Sequence, residues 1–455
     1  MSVSKSVFGD ASGRRSVPTG TSMHRLCRLL GVALLLGAVT ELTVTEIEAQ
    51  YNSPAFDREG WEMPDKEDLQ EAYEEARWAA GPLRFHPWLG VRDASFVTTQ
   101  VRALDGTVTE TDDFTATAGA GLRIYARSSP KWILALHALP EYVWWQDDDA
   151  KSSLNGRYGA GVFGFMNRLK VEASARRIEK QDLFSTEIQE LTSVRHDVTR
   201  LGVDVEALRN IHVEAGFRST EVTASDKDRD IFRRLDRTEN ASSVGIRLES
   251  ERGFSLGLGV RDFDIELENE ARNLSADGSS VYLRGAFEST RFTGLVDVEQ
   301  LELSPTLGSD LSSFEELVGA VRATWELSRF LGLQLYQEQN VTFSVTEGAS
   351  HFRTRRTGLT TELKSKRSSL SLTFATGDDE LVGQGGDALR TDDVTELRAA
   401  LWVPIGELTL QVYGTALDYD SNVDAFDRDF SSFGVALDLG RLARRLSLGD
   451  AESLW

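Results

Sequence analysis

Cysteine is nearly missing from these 455 residues: Cys27 stands alone, inside a segment read below as removable. A mature chain without cysteine has no disulfide framework and no Cys-ligated metal, and it suits export into an oxidising compartment without depending on it. Basic runs are missing as well. With 72 acidic against 50 basic residues and a formal net charge of -22, the chain has the wrong sign for nucleic acid, whose phosphates need a basic surface. Beyond the N-terminal region no stretch approaches the roughly 20 apolar residues of a membrane helix. Gly119-x-Gly121 and Gly257-x-Gly259 lack the further glycines and the following helix of a phosphate-binding loop. His86, His137, His196, His212 and His351 are scattered singly, with no serine or acidic partner in a motif, so the residues point to no enzyme and no cofactor. Asp226-x-Asp228-x-Asp230 opens like a calcium loop, but Ile231 stands where glycine is needed and Arg237 where a bidentate glutamate belongs. No metal is expected there.

What is present begins with an export signal. Arg25 and Arg28 precede the apolar run Leu29 to Val39, too short to span a bilayer, and Ile47-Glu48-Ala49 offers a cleavage site, so residues 1–49 read as a signal peptide. Residues 1–22 are polar, which makes Met23 an alternative start. Residues 50–82 form a second region. Asp65 to Trp78 is rich in helix formers, with Leu69, Tyr73 and Ala76 on one stripe, and predicts one short helix ended at Gly81-Pro82. A periplasmic spacer and a small plug both fit it.

From Leu83 the period becomes two. Ile211, Val213, Ala215 and Phe217 alternate with His212, Glu214, Gly216 and Arg218, and similar runs occur at Leu201 to Ala207, Val281 to Glu288 and Leu408 to Tyr413. Each is a strand with one apolar and one polar face. Tight turns at Ser129-Pro130, Asn167-Arg168, Arg209-Asn210, Glu251-Arg252, Thr290-Arg291, Ser328-Arg329, Lys366-Arg367 and Ile405-Gly406 recur at about 40-residue intervals. Between them lie acidic polar stretches read as long loops: Gln146 to Asp149, Ala224 to Asp230, Gly377 to Glu380 and Asp418 to Asn422. Short turns at one end and long loops at the other are the pattern of a transmembrane barrel. Eight hairpins, a first strand near His86 to Thr98 and a last near Phe430 to Leu439 predict an all-β, antiparallel, up-and-down barrel of about 18 strands (16–18) over residues 83–440, with a tail at 441–455. A propeller with blades of about 40 residues is the rival, opposed by two long runs per repeat in place of four short ones. Trp132, Phe254, Phe292 and Phe330 follow tight turns, and Trp144, Trp145, Trp325 and Tyr419 fall near other strand ends, where interfacial aromatics belong.

Ser432-Phe433-Gly434-Val435-Ala436-Leu437-Asp438-Leu439 resembles the terminal recognition signal of outer-membrane barrels: polar Ser432, Gly434 two residues later, then Leu437 and Leu439. The resemblance implies the barrel-assembly machinery as a partner and outer-membrane lipid as the surroundings. Such signals usually end the chain on an aromatic, so either this signal is internal or Trp455 closes a different final strand. Residues 83–440 are also similar in style to porin-like barrels found beside envelope polysaccharide-export systems, which implies export components as partners and a role in glycan export.

If the apolar parity faces lipid, the other parity lines a lumen. It carries Arg176, Glu214, Arg218, Arg247, Glu249, Arg284, Glu288, Arg322, Glu326, Glu362, Lys364, Glu396 and Arg398, charges that would cost about 2–4 kcal/mol each, for the basic ones, against mid-membrane lipid. The expectation is a porin-like channel in the bacterial outer membrane, with Glu214, Arg218, Arg247, Glu249, Arg284, Glu288, Arg322, Glu326, Glu362 and Arg398 setting selectivity. The alternatives are a non-conducting scaffold barrel and, third, a barrel-embedded hydrolase.

Overall fold

The computed structural model describes residues 63–439 except 65, 103–107, 148–150, 186–187, 225–235, 251–252, 268–274, 307–308, 310–312, 345–347, 384, 407 and 424–425. Residues 1–49 with Cys27, expected to be a signal peptide, the Asp226 to Asp230 stretch and the tail lie outside the described residues.

Among the described residues there is one helix, α1 (Lys66–Glu75), followed by β1 (Trp78–Ala80), β2 (Leu83–Arg102), β3 (Val108–Ser129), β4 (Trp132–Trp145), β5 (Ser153–Met166), β6 (Leu169–Ser185), β7 (Ile188–Leu208), β8 (Ile211–Ala224) and β9 (Arg237–Ser250). The second half holds β10 (Phe254–Leu267), β11 (Ala276–Glu288), β12 (Phe292–Pro305), β13 (Phe314–Ser328), β14 (Leu331–Phe343), β15 (Ala349–Lys364), β16 (Ser369–Gly383), β17 (Ala388–Ile405), β18 (Leu408–Ser421) and β19 (Arg428–Leu439). From β2 onward each strand pairs antiparallel with the next, and β19 pairs with β2 from Arg428↔Val101 to Leu439↔Leu89. Eighteen strands therefore close on themselves, and the propeller is excluded. Closure satisfies every ladder hydrogen bond without an edge, which a lipid-embedded sheet requires. Seven of the eight predicted turns fall where the strands reverse, with Asn210 (φ 66°) and Gly406 (φ 69°) in the left-handed conformation that such tight turns need, and the eighth, Glu251-Arg252, lies outside the described residues.

The helix ends earlier than its composition suggests. Gly81, at φ 60°, reverses the chain so that Trp78–Ala80 pairs with Leu83–Phe85, and that pairing takes the residues that would have formed a last helical turn.

Near the turns the strands behave as the alternation predicts. Leu201, Val203, Phe217, Val244, Ile246, Leu258 and Val260 project outward and exposed, while Gly202, Asp204, Arg218, Gly245 and Arg261 between them are buried inside. The strands outrun this belt. β7 has 21 residues, which at about 3.4 Å each and a tilt near 45° gives roughly 50 Å of height, twice the ~25 Å apolar band of such barrels. Beyond the belt the alternation inverts. On β10, exposed Leu258 and Val260 give way to outward Asp262 and Asp264, while inward Phe263 and Ile265 are buried. On β12 the inward series runs Asp297, Glu299, Leu301, Leu303, and the outward one Val296, Val298, Gln300, Glu302. Gly377–Glu380 and Asp418–Ser421, expected as loops, are therefore strand residues of β16 and β18. Their carboxylates mark strands that have left the membrane. Trp145 and Tyr419 are corrected for the same reason: they lie buried on the inner face of the upper barrel rather than at the interface. Trp132, Phe254, Phe292 and Phe330 do project outward at the turn end, joined by Trp325, which pairs with Phe292; Trp144 projects outward at the loop end.

β19 is the strand that closes the barrel against β2, so the recognition signal lies on the closing strand, and Trp455 falls outside the described residues. Ser432 and Gly434 face inward and Leu437 faces outward, and Leu439 is the last paired residue of the seam. Tyr413 of β18 crosses over Gly434, and its hydroxyl donates to Asp93 of β2, so three strands are clasped across the closure. A Cβ on Gly434 would sit 2.6 Å from that hydroxyl oxygen and 2.8 Å from the ring. Gly434→Ala is expected to lower the unfolding free energy in urea by about 1–3 kcal/mol through overpacking and to lower the temperature at which the folded band is lost in unheated gels.

Candidate functional site

The inner wall carries the chemistry. All ten residues proposed to line the lumen have inward parity, but the structure gathers them into separate groups. Near the turns of β7, β8 and β9, Arg247 is held by Asp204 at 2.8 Å and Glu214 at 2.5 Å and also contacts Glu249. His212 bridges Asp204 at 2.8 Å and Glu249 at 3.4 Å. Across the wall, Lys364 meets Glu362 at 3.1 Å and Glu326 at 3.4 Å, and Arg398 pairs with Glu396. Arg284 lies 3.3 Å from Asp297. Glu288 and Glu326 are exposed at the turn-end mouth, while Arg218 and Arg322 sit higher on the wall.

Sequence reasoning missed the most buried members. Arg261 donates to both carboxylate oxygens of Glu299, at 2.9 and 2.7 Å, beneath the ring of Tyr282, and Ser280 donates to the same carboxylate. Toward the loop end Arg237 pairs with Glu239, Arg356 with Asp379 at 2.7 Å, and Arg390 with Asp392 at 3.0 Å. These residues sit where the alternation inverts, so a fixed parity assigns them poorly. A better signal was available: an arginine flanked by a carboxylate two residues away on the same face, as in Arg237-x-Glu239 and Arg390-x-Asp392.

The turn-end mouth also holds α1. Leu69 and Tyr73 are buried in one cluster with Tyr125, Ile133, Ala135, Phe163 and Phe165, all inward residues a few positions from the turns that join β3 to β4 and β5 to β6. The helix thus lies inside the barrel, with Glu67, Asp68, Glu71, Glu74 and Glu75 exposed. Met63 lies against Gly202 of β7, where a Cβ would meet its sulfur at 2.9 Å. The Tyr73 hydroxyl donates to the Pro82 carbonyl at 3.2 Å, and the Arg84 guanidinium stacks over the Tyr73 ring. A ten-residue helix is too short to persist alone in water, so docking sustains it. The sequence signal was the loss of alternation: Ile133 to Leu136 and Val162 to Met166 are apolar on both faces apart from Gly164.

No family model matches the chain, and no curated protein matches it in sequence. Among solved structures it is similar to OccK9 (OpdG) of Pseudomonas aeruginosa, with a TM-score of 0.50 at 10% identity over 78% of this chain and 98% of that one. It is also similar to OccAB3 of Acinetobacter baumannii, at TM-score 0.47 and 10% identity over 78% and 99%. For the siderophore receptor PirA of Acinetobacter baumannii the values are 0.41 and 8%, and the chain covers 62% of that receptor. The likeness to OccK9 bears on fold: a porin-like barrel. A closed barrel with an outward apolar belt has its stable setting in a bilayer, and the fold is that of the bacterial outer membrane, where this chain belongs.

Removing one partner of a buried pair strands the other. Asp379→Ala, leaving Arg356 buried, is expected to cost about 3–5 kcal/mol in denaturant unfolding of the folded barrel, and Arg356→Met with Asp379→Leu together should recover most of it.

Proposed function

We propose that the chain is a porin-like channel through which small polar solutes diffuse, selecting by the charges of its inner wall. The observation that carries this reading is the belt-level lining: Arg and Glu side chains face inward at the depth where lipid faces outward, a polar path across the apolar layer. Arg247, Arg284, Lys364 and Arg398 are each held by carboxylates, and carboxylates outnumber basic groups near the turns: Asp204, Glu214 and Glu249 surround Arg247, and Glu326 and Glu362 flank Lys364. With the acidic exposed face of α1 at the same mouth, the field there attracts cations. Assembly through the seam signal Ser432, Gly434, Leu437 and Leu439, with the barrel-assembly machinery as partner, belongs to the same proposal. So does the role of residues 50–82: α1 acts as a plug at the turn-end mouth rather than as a solvated spacer.

Glycan export rests on sequence style alone; no feature of the inner wall favours a glycan over another polar solute. The scaffold reading draws on the docked helix and the closed ion pairs, which both narrow the lumen. For a hydrolase the described residues offer an arrangement at His351, which lies 3.2 Å from the Ser350 hydroxyl and 3.6 Å from Glu316. Ser350 and His351 are 1% and 2% exposed, however, and His351 stacks on Phe314, so no substrate reaches a nucleophile there.

Purified folded protein in planar bilayers should give discrete openings whose reversal potential in a salt gradient is cation-preferring, and Glu249→Gln with Glu326→Gln should reduce that preference. A folded, heat-modifiable barrel silent at every voltage would sink the channel reading and favour the scaffold. For the plug, Leu69→Asp should release α1, so that trypsin cuts the folded protein at Lys66 and Arg77 far faster than it cuts the unsubstituted protein; equal rates would return residues 50–82 to a spacer.

A further inference from the structure

The inner face is wet at one end and dry at the other. Along β9 the inward side chains change steadily from the loop end to the turn end: Arg237 is 0% exposed, Glu239 1%, Arg247 20% and Glu249 42%. Residues bordering an open water column would be exposed along their whole length. Around the upper barrel the inward positions are sealed: between the buried ion pairs Arg237–Glu239, Arg356–Asp379 and Arg390–Asp392 stand apolar side chains, of which Val194 and Val222 on β7 and β8, Ile265 on β10, Leu301 and Leu303 on β12, and Val318 on β13 are all at most 1% exposed. The outward positions beside them, Asp262, Glu302 and Glu315, are exposed. This is the pattern of a water-soluble barrel with a packed core, set above a membrane-spanning one with a polar interior.

We propose that the resting barrel is a one-sided vestibule, with its charged belt-level interior open to water from the short-turn end only and closed toward the loop end by a collar of packed aliphatic side chains and mutually neutralised ion pairs. Short turns face the periplasm in barrels of this kind, so the vestibule opens inward and the collar faces outside. α1 covers the β3–β7 part of the turn-end mouth, and Glu249, Glu326 and Lys364 remain exposed on the other part. A solute arriving from outside has to displace the collar first. A tightly packed ring whose charges are already paired leaves no room or free polar group for a hydrated ion, so the collar also bars ions until it widens.

The test is independent of conduction. With Cys27→Ser as background, a single introduced cysteine is the only thiol of the chain. Ser243→Cys sits half-buried on the inner wall at belt height, beside outward Val244; Asp147→Cys marks the exposed loop end and Arg168→Cys the exposed turn end. A membrane-impermeant maleimide added to intact Gram-negative cells should label Asp147→Cys and leave Ser243→Cys and Arg168→Cys unlabelled. Once the reagent is admitted to the periplasm, Ser243→Cys should label together with Arg168→Cys. Adding Leu301→Asn and Leu303→Asn should bring Ser243→Cys labelling in intact cells. Three results would overturn the proposal: Ser243→Cys labelling from outside without the collar substitutions, labelling from neither side while the unfolded protein reacts, or no gain from opening the collar in a barrel that still folds. None depends on whether the barrel conducts, so the vestibule and the channel reading fail separately.

Discussion

What touches the outside of each strand decides what the inside can be. A strand has two faces and period two, so every inward residue is bracketed by outward ones, and the outward environment changes with height. Where lipid surrounds the barrel, outward positions must be apolar and the charges the chain carries can only go inward. Above the lipid the outward positions meet water and are free to be Asp and Glu, and the inward positions become the only place to bury aliphatic side chains. Val260-Arg261-Asp262-Phe263 on β10 and Val298-Glu299-Gln300-Leu301 on β12 each make this crossing within four residues, offset by two positions in register. The strands are long enough for both regimes, and the eighteen-strand closure holds both in one sheet.

Charges forced inward still need partners. Arg261 and Glu299 are each 2% exposed, and isolated ions at that depth would cost several kcal/mol apiece. The fold answers with short-range neutrality: inward Arg237, Arg247, Arg261, Arg284, Arg356, Arg390 and Arg398 each lie beside a carboxylate on their own or a nearby strand, and Ser280 fills a further acceptor site of Glu299. Such pairs add little net stability over an apolar substitute. They do fix register, since a slip of one residue would turn Arg261 and Glu299 toward lipid. The same neutrality limits how strongly the wall can attract an ion, leaving selectivity to the places where pairing is uneven, around Arg247 and Lys364.

Much of the architecture was legible in the alternation and the spaced turns: the strand number, the hairpins, the outward Val213 and Phe217, the inward Glu214 and Arg218. What failed shares one cause. Assigning a single parity to each strand turned Asp378 to Glu380 into a loop, because the outward carboxylates of Asp378 and Glu380 contradict a lipid-facing strand, and it placed Trp145 and Tyr419 at an interface when they belong to the upper core. The helix was visible as a stripe of Leu69, Tyr73 and Ala76, but its docking place was not, because that depends on which turns the ring brings together. Only the run of consecutive apolar residues at Ile133 to Leu136 hinted that both faces of β4 would be covered.

The docking place of α1 follows from the same rule as the collar. Near the turns the inner wall is polar almost everywhere, and water reaches it; on β3, β4 and β5 it is not, since Tyr125, Ile133, Phe163 and Phe165 project inward there. Left uncovered they would form an apolar patch facing water, at a cost of about 1.5–3 kcal/mol for each large side chain. Leu69 and Tyr73 are what the chain supplies to cover it, and the exposed acids of α1 then restore a polar surface toward the mouth. The helix and the collar are thus one solution applied at two heights: wherever the inner face is apolar, something must lie against it, and the width of the lumen is what remains.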